Sequence, residues 1–292
     1  MEEYKMKSKK FKDKSTFKKI KDIPLYELFH RNSELNSLNY YKFTHGISNA
    51  LLDNEFIEEC ANDRNLYNGN ETVKLPKPNL NLTDMNVFDV IKNRRSIRSF
   101  SGQPINQEEL STILFYSGGV TGEYQQIEGK PHMNLYAYPS AGGLNPSQMY
   151  VFITNVDNIN PGIYYYNPLE NNLKVIKNGF TSNDFKKITG SANLAQNASF
   201  VIYILGTAYL TGYKYGDRGY RFMTLEAGHL AQNLYLTSTA IGAGAVASGG
   251  FLDREILEFL DLEDSDMFVM YEVIVGKPDY NTNYLFPQTM EN

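Results

Sequence analysis

The chain is poor in the residues that several protein classes require. It has one cysteine, Cys60, and no tryptophan. A single thiol cannot close an intramolecular disulfide, which excludes the stapled secreted scaffolds and fits a reducing cytoplasm. No apolar run reaches the ~18 residues of a membrane span, and the first residues lack the apolar stretch of a signal peptide. The four histidines, His30, His45, His132 and His229, form no metal spacing such as H-E-x-x-H. A Gly-x-Gly-x-x-Gly turn after a strand in a βαβ unit is missing too, which argues against a dinucleotide-binding Rossmann site. Excess positive charge is also lacking. Nine of the 28 basic residues and four of the 33 acidic ones fall in residues 1–22, leaving a net charge of −10 on the rest. That balance argues against nucleic acid as the main partner.

Hydrophobic residues make up 42% of the 292, enough for a sizeable core, and 22 Tyr and 17 Phe supply its aromatic packing. The chain divides near residue 80. Residues 1–80 read as an N-terminal extension: a basic tail, helix-like stretches at 25–30 and 50–61, and an Asn-, Pro- and Lys-rich linker from 63. The tail interleaves Tyr4, Phe11 and Phe17 with lysine, so it reads as a solvated or partner-binding segment or as a membrane-surface helix. In residues 81–292 the periodicity predicts helices at 84–93, 106–117, 183–189, 217–241 and 253–261. It predicts strands at 148–154, 162–166, 173–177, 199–205, 243–247 and 267–275. Helices and strands intermix without strict alternation, which predicts an α+β fold with a mixed β-sheet flanked by helices.

Three segments carry chemistry. The first is Arg94-Arg95-Ser96-Ile97-Arg98-Ser99-Phe100, just after a short amphipathic helix. Three guanidinium forks and two hydroxyls suit a phosphate; the same cluster also reads as a solvated basic helix end. The second is Tyr138-Pro139-Ser140-Ala141-Gly142-Gly143-Leu144-Asn145-Pro146-Ser147, ahead of a strand. Adjacent glycines let a backbone take positive φ or approach a flat ligand closely; the plainer reading is an ordinary turn. The third is the small-residue run 242–250, followed by Phe251, Leu252 and Asp253, a candidate N-cap. The helix at 217–241 is apolar on several faces, which predicts burial. Gly228 in its interior costs about 1 kcal/mol relative to Ala, which predicts close approach of another backbone. Loop 118–138, with four glycines and several tyrosines, is long enough to be functional.

In order and spacing these segments resemble the nitroreductase superfamily of flavin enzymes, over about residues 84 to 278. The narrower resemblance is to its SagB/McbC-type branch, the FMN-dependent peptide azoline dehydrogenases. It rests on residues 139–143, on Lys214-Tyr215-Gly216-Asp217-Arg218-Gly219-Tyr220-Arg221, and on Glu226-Ala227-Gly228-His229-Leu230-Ala231-Gln232-Asn233-Leu234. The first eighty residues carry little of it.

The resemblance implies a nitroreductase-like fold, an intertwined homodimer with the 217–241 helix near its centre, and FMN bound at the interface. Arg94, Arg95, Ser96 and Arg98 would hold the ribityl chain and phosphate. Pro139, Ser140, Ala141, Gly142 and Gly143 would run beside the flavin ring, with Asn145 near the ribityl hydroxyls. Gly249 and Gly250 would line the opposite subunit's wall, and Lys277 is a weaker phosphate candidate. Loop 118–138 would lie over the substrate side. Lys214 and Tyr215 match the pair assigned to proton removal; the lysine pKa would have to fall toward neutrality through burial or a nearby cation, for which Arg218 and Arg221 are candidate neighbours. Without the resemblance, Lys214 reads as a surface lysine in a loop spanning 212–219. The implied function is oxidation of thiazoline or oxazoline rings to azoles in a ribosomally made precursor peptide, in company with a cyclodehydratase. The alternatives are an NAD(P)H-dependent nitro- or quinone reductase and a flavin-binding scaffold in a biosynthetic complex.

Overall fold

The computed structural model describes residues 24–61, 67–125, 128–129 and 131–280; the basic tail lies outside them. Its centre is a sheet whose inner strands are apolar on both faces. In β4 (Ser147–Ile153) successive side chains point to opposite sides. Met149, Val151 and Ile153 enter one core, while Tyr150 and Phe152 enter the other. The strand β7 (Phe200–Thr207), buried along its whole length, divides in the same way. The sheet order is β1 (Thr72–Lys74), β6 (Asn172–Asn178), β5 (Gly162–Asn167), β4, β7, β9 (Met267–Gly276) and β8 (Gly244–Ser248). All named pairs are antiparallel. Parallel contact enters through the isolated bridges of Ser96 with Ala245 and Ile105 with Val156. The α+β reading holds, and the predicted helices and strands fall where the periodicity puts them.

One core lies under α5 (Gln107–Gly118) and α8 (Arg218–Ala240), which contribute Leu110, Ile113 and Leu114, and Ala227, Leu230 and Leu234. Helix α5 begins with a capping box: the Asn106 side chain takes the Glu109 N–H, and the Glu109 carboxylate takes the Asn106 N–H. The other core packs Phe180, α6 (Phe185–Ile188) and α9 (Asp253–Phe259) on the opposite face. Asp253 is not the cap of α9. It is the first helical residue, and Leu252 holds the cap position without a side-chain bond.

Helix α8 differs from expectation on one side. Its inward face, with Met223, Glu226, Ala227, Leu230 and Leu234, is buried. Thr224, Leu225, Gly228, His229 and Gln232 are exposed, Leu225 at 60%. Among the described residues nothing comes within 4 Å of a Cβ placed on Gly228, so the close approach expected there is not made among them.

The described residues before 84 fold against this body. Helices α1 (Leu25–Asn32), α2 (Tyr40–Leu52) and α3 (Asn54–Ala61) form a layer, and β1 pairs with β6 at the sheet edge. The layer is clamped from α8. Arg218 donates to the Ser33 carbonyl at 2.9 Å, and Arg221 donates to the Ser33 hydroxyl at 2.9 Å and to the His30 carbonyl. Guanidiniums complement the negative end of α1 there.

On β9, Glu272 is fully buried. Tyr203 donates to its carboxylate at 2.7 Å and Thr189 at 3.2 Å. Burial raises its pKa, against the pull of the surrounding hydroxyls. A raised carboxyl pKa means the folded state holds the proton more tightly than the unfolded state does. Stability therefore falls as pH rises from the ordinary 4.5 toward the folded value. Glu272→Gln should flatten that slope, so that the loss of stability on raising the pH above the ordinary carboxylate range shrinks in urea unfolding. An unchanged slope would assign the pH dependence to other groups.

Candidate functional site

Helix α7 (Ala208–Tyr215) ends on the two residues singled out for proton transfer. Lys214 is not the surface loop lysine of the plainer reading: it lies in the last turn of that helix at 6% exposure. The glycine at 212 and the aromatic neighbours concealed the helix, which packs across the start of α8. Tyr215 is half-buried, edge-on to Phe222 of α8 and stacked on Phe43 of α2 at 5.8 Å.

The glycine segment forms a short 3₁₀ turn, Ala141–Gly143, with φ of +63° at Gly142 and +68° at Gly143. The Ser140 hydroxyl accepts the Asn145 N–H at 2.8 Å, and the Asn145 amide donates to the Gly143 carbonyl at 2.9 Å, closing the loop on itself. Asn145 is buried with φ +46°, a conformation asparagine tolerates. Pro139 and Ala141 complete the segment.

These two regions meet. A Cβ on Gly142 would stand 2.1 Å from the Tyr215 hydroxyl and 2.7 Å from Lys214 Nζ. Lys214 Nζ reaches the Gly142 carbonyl at 3.4 Å. The glycine is required both by its backbone angle and by what fills its side-chain space. Beside it, a cavity of about 20 Å³, room for about one water, is lined by Lys214, Gly142, Leu144, Met133, Phe56 and Cys60 among others. Loss of hydration in this setting lowers the Lys214 pKa, with a smaller opposing effect from Cys60. The expected role of Arg218 and Arg221 in that shift is not observed. Both are committed to the end of α1, and burial does the work instead. Burial likewise raises the Tyr215 pKa, reinforced by Tyr124.

The arginine cluster follows α4 (Val87–Asn93) and runs along β8. Ile97 N–H donates to the Ala245 carbonyl at 2.9 Å. The Ser96 hydroxyl lies 3.2 Å from that of Tyr235, which accepts the Ala247 N–H at 2.6 Å, and the Arg94 guanidinium sits 5.3 Å from the Tyr235 ring centre. Arg95 bonds the carbonyls of Lys92 and Arg94, and Arg98 that of Ser96. Among the described residues none of Arg94, Arg95 and Arg98 has a carboxylate partner. Uncompensated cations in one strip suit an anion. Lys277, by contrast, is paired with Glu109. Gly249 and Gly250 are exposed; the Gly250 carbonyl accepts the Gly190 N–H at 2.7 Å.

Tyr235 and Tyr124 were missed by sequence reasoning. Tyr235 carried no signal beyond its place on an apolar helix. Tyr124 ends β2 (Val120–Tyr124), which pairs with β3 (Met133–Tyr136) inside the predicted loop; the alternation of Val120, Gly122 and Tyr124 was the available sign.

Residues 91–277 match the Nitroreductase family. A protein of Methanocaldococcus jannaschii named as a nitroreductase, MJ1384, is 31% identical over 68% of this chain and 96% of its own length. The microcin B17-processing protein McbC of Escherichia coli is 28% identical over 43% of this chain and 48% of its own length. A chain in the E. coli microcin synthetase McbBCD structure, solved with truncated pro-MccB17 bound, shares the fold with a TM-score of 0.55 at 17% identity, over 89% of this chain and 99% of that one.

Gly142→Ala tests the convergence. The Lys214 end is flexible, but the Tyr215 ring, packed against Phe43 and Phe222, must also shift, so the protein should lose at least about 1–2 kcal/mol, the cost of the left-handed backbone. Lys214 should swing outward and label faster with an amine reagent, read by peptide mass. Wild-type labelling of Lys214 in that variant would mean that the contact with Gly142 does not hold the ammonium in place.

Proposed function

The chain belongs to the nitroreductase family, and on that premise we propose that it is an FMN-dependent dehydrogenase. Its substrates would be thiazoline or oxazoline rings in a ribosomally made peptide, oxidised to the aromatic azoles. The observation that carries this reading is the meeting of Lys214 Nζ and the Tyr215 hydroxyl at Gly142. The similarity to McbC points the same way. A nitro- or quinone reductase would share the flavin site but gives a buried lysine nothing to do.

FMN fits the residues present. The unpaired Arg94, Arg95 and Arg98, with Ser96, offer donors and positive charge for its phosphate and ribityl chain. The Gly142 and Gly143 turn, flanked by Pro139, Ser140, Ala141 and Asn145, offers backbone without side chains for its ring. Gly249 and Gly250 would close the site from a second subunit, and the exposed Leu225 and Gly228 face of α8 would meet its partner there. Lys277 already has a carboxylate and adds less. When bound, the flavin supplies the hydride acceptor.

The protein's own part is proton removal. The ring carbon beside the carbonyl must lose a proton, and the Lys214 amine can take it only when neutral. Desolvation brings the amine closer to that state. Tyr215 stays protonated over a wider pH range because burial raises its pKa, so it can donate a hydrogen bond but does not compete as a base. A cyclodehydratase that makes the azolines is the natural partner in such a pathway.

The purified protein should release FMN, and Arg95→Ala should weaken its retention. Lys214→Ala should abolish the two-mass-unit loss per azoline ring, a fall of about 10²–10⁴-fold, while the flavin spectrum persists. Tyr215→Phe should have a smaller effect, and reduction of a quinone should survive both changes. Wild-type ring oxidation by Lys214→Ala in a single turnover would place the base elsewhere. Gly228→Leu should convert a sedimenting dimer into a monomer by blocking close helix approach.

A further inference from the structure

A second phenol stands beside the Lys214 and Tyr215 pair. Tyr124 is the last residue of β2, held in register opposite Met133 across the hairpin. Its hydroxyl lies 3.0 Å from the point a Cβ on Gly143 would occupy, just as Tyr215 fills the corresponding space at Gly142. Three polar tips, two phenols and one amine, therefore surround two consecutive left-handed residues. Tyr124 and Tyr215 pack in one small cluster with Leu144, Met133 and Leu210. Among the described residues neither phenol oxygen has a hydrogen-bond partner. Neither oxygen is sealed from solvent, so each can exchange water for a ligand atom.

We propose that Tyr124 and Tyr215 together form a two-phenol subsite that donates hydrogen bonds to a substrate carbonyl oxygen, the one adjoining the ring carbon that Lys214 deprotonates. The inference rests on the azoline reading above. In the step concerned, the C–H bond at that carbon breaks and its proton moves to the neutral Lys214 amine. The electron pair it leaves delocalises onto the adjoining carbonyl oxygen. Nothing is oxidised in this half of the reaction. Charge develops on the oxygen, and fixed donors in a water-poor setting stabilise it. One phenol comes from α7 and the other from the β2–β3 hairpin, so the subsite also ties the hairpin to the chemistry.

The proton step can be observed without ring oxidation. The holoenzyme is reduced anaerobically with dithionite so that hydride cannot leave, then mixed with an azoline peptide in D₂O. Wild-type protein should incorporate one deuterium per azoline, seen as a one-mass-unit gain. Tyr124→Phe removes only an oxygen. It should slow exchange about 10²-fold at saturating peptide, with the melting temperature, flavin content and exchange-inactive Lys214→Ala baseline as references. Glu123→Gln, on the exposed side of the same strand, should exchange like wild type. Wild-type exchange by Tyr124→Phe would overturn the subsite while leaving the azoline reading intact. If wild-type protein neither exchanges nor oxidises the peptide, the azoline reading itself falls.

Discussion

The turn at Gly142 and Gly143 admits the ends of Lys214 and Tyr215 because neither glycine carries a Cβ. The Tyr215 hydroxyl and the Lys214 ammonium occupy the volume a side chain at 142 would fill. This exclusion works in both directions. The left-handed backbone needs glycine, and the polar tips need the space that glycine leaves. The glycine loop and the end of α7 are thereby brought together, though Gly142 and Lys214 lie 72 residues apart in sequence.

Helix α8 holds the arrangement in register. Near its start Phe222 packs on Tyr215. One turn on, the buried Glu226 carboxylate accepts the Ser147 N–H at 3.0 Å, fixing the strand that leaves the glycine loop. Asn233 then donates to the Ala137 carbonyl at 2.9 Å, on the loop's other flank. Tyr235 joins the arginine segment to β8. A buried carboxylate and a half-buried amide both cost free energy when unbonded, so each favours the one alignment of α8 that satisfies it. The apolar stripe below supplies cohesion, and the polar side chains supply the register.

Much of this was legible in the sequence because burial leaves a periodic mark. β4, β7 and β9 read as strands from their branched and aromatic runs, and α5 and α8 as helices from their apolar spacing. The arginine and glycine segments stood out as candidates because they concentrate guanidiniums and adjacent glycines in short runs. What the sequence could not show was contact across distance. Helix α7 looked like a loop because Gly212 and four aromatic or hydroxyl residues weaken its propensity, and tertiary packing decides its fate. Arg218 and Arg221 looked like neighbours of Lys214 because they follow it closely. Their side chains run instead to α1, whose carbonyls no local pattern could have placed there.

Which of the two routes operates bears on how the lysine is tuned. Cations beside an amine and removal of water from it both favour the neutral form, but they come from different parts of a protein. Here the second mechanism operates, and the N-terminal layer supplies much of it. Ala50 and Leu51 of α2, and Phe56, Ile57 and Cys60 of α3, line the cavity where the ammonium ends. Gly46 of α2 lets that helix approach the Lys214 carbonyl, 3.1 Å from where its Cβ would stand. The arginines that might have acted electrostatically on Lys214 instead fasten the layer that dehydrates it. Segments outside the arginine and glycine motifs thus act on the Lys214 amine through solvent exclusion, an effect that salt screens far less than it screens exposed charges.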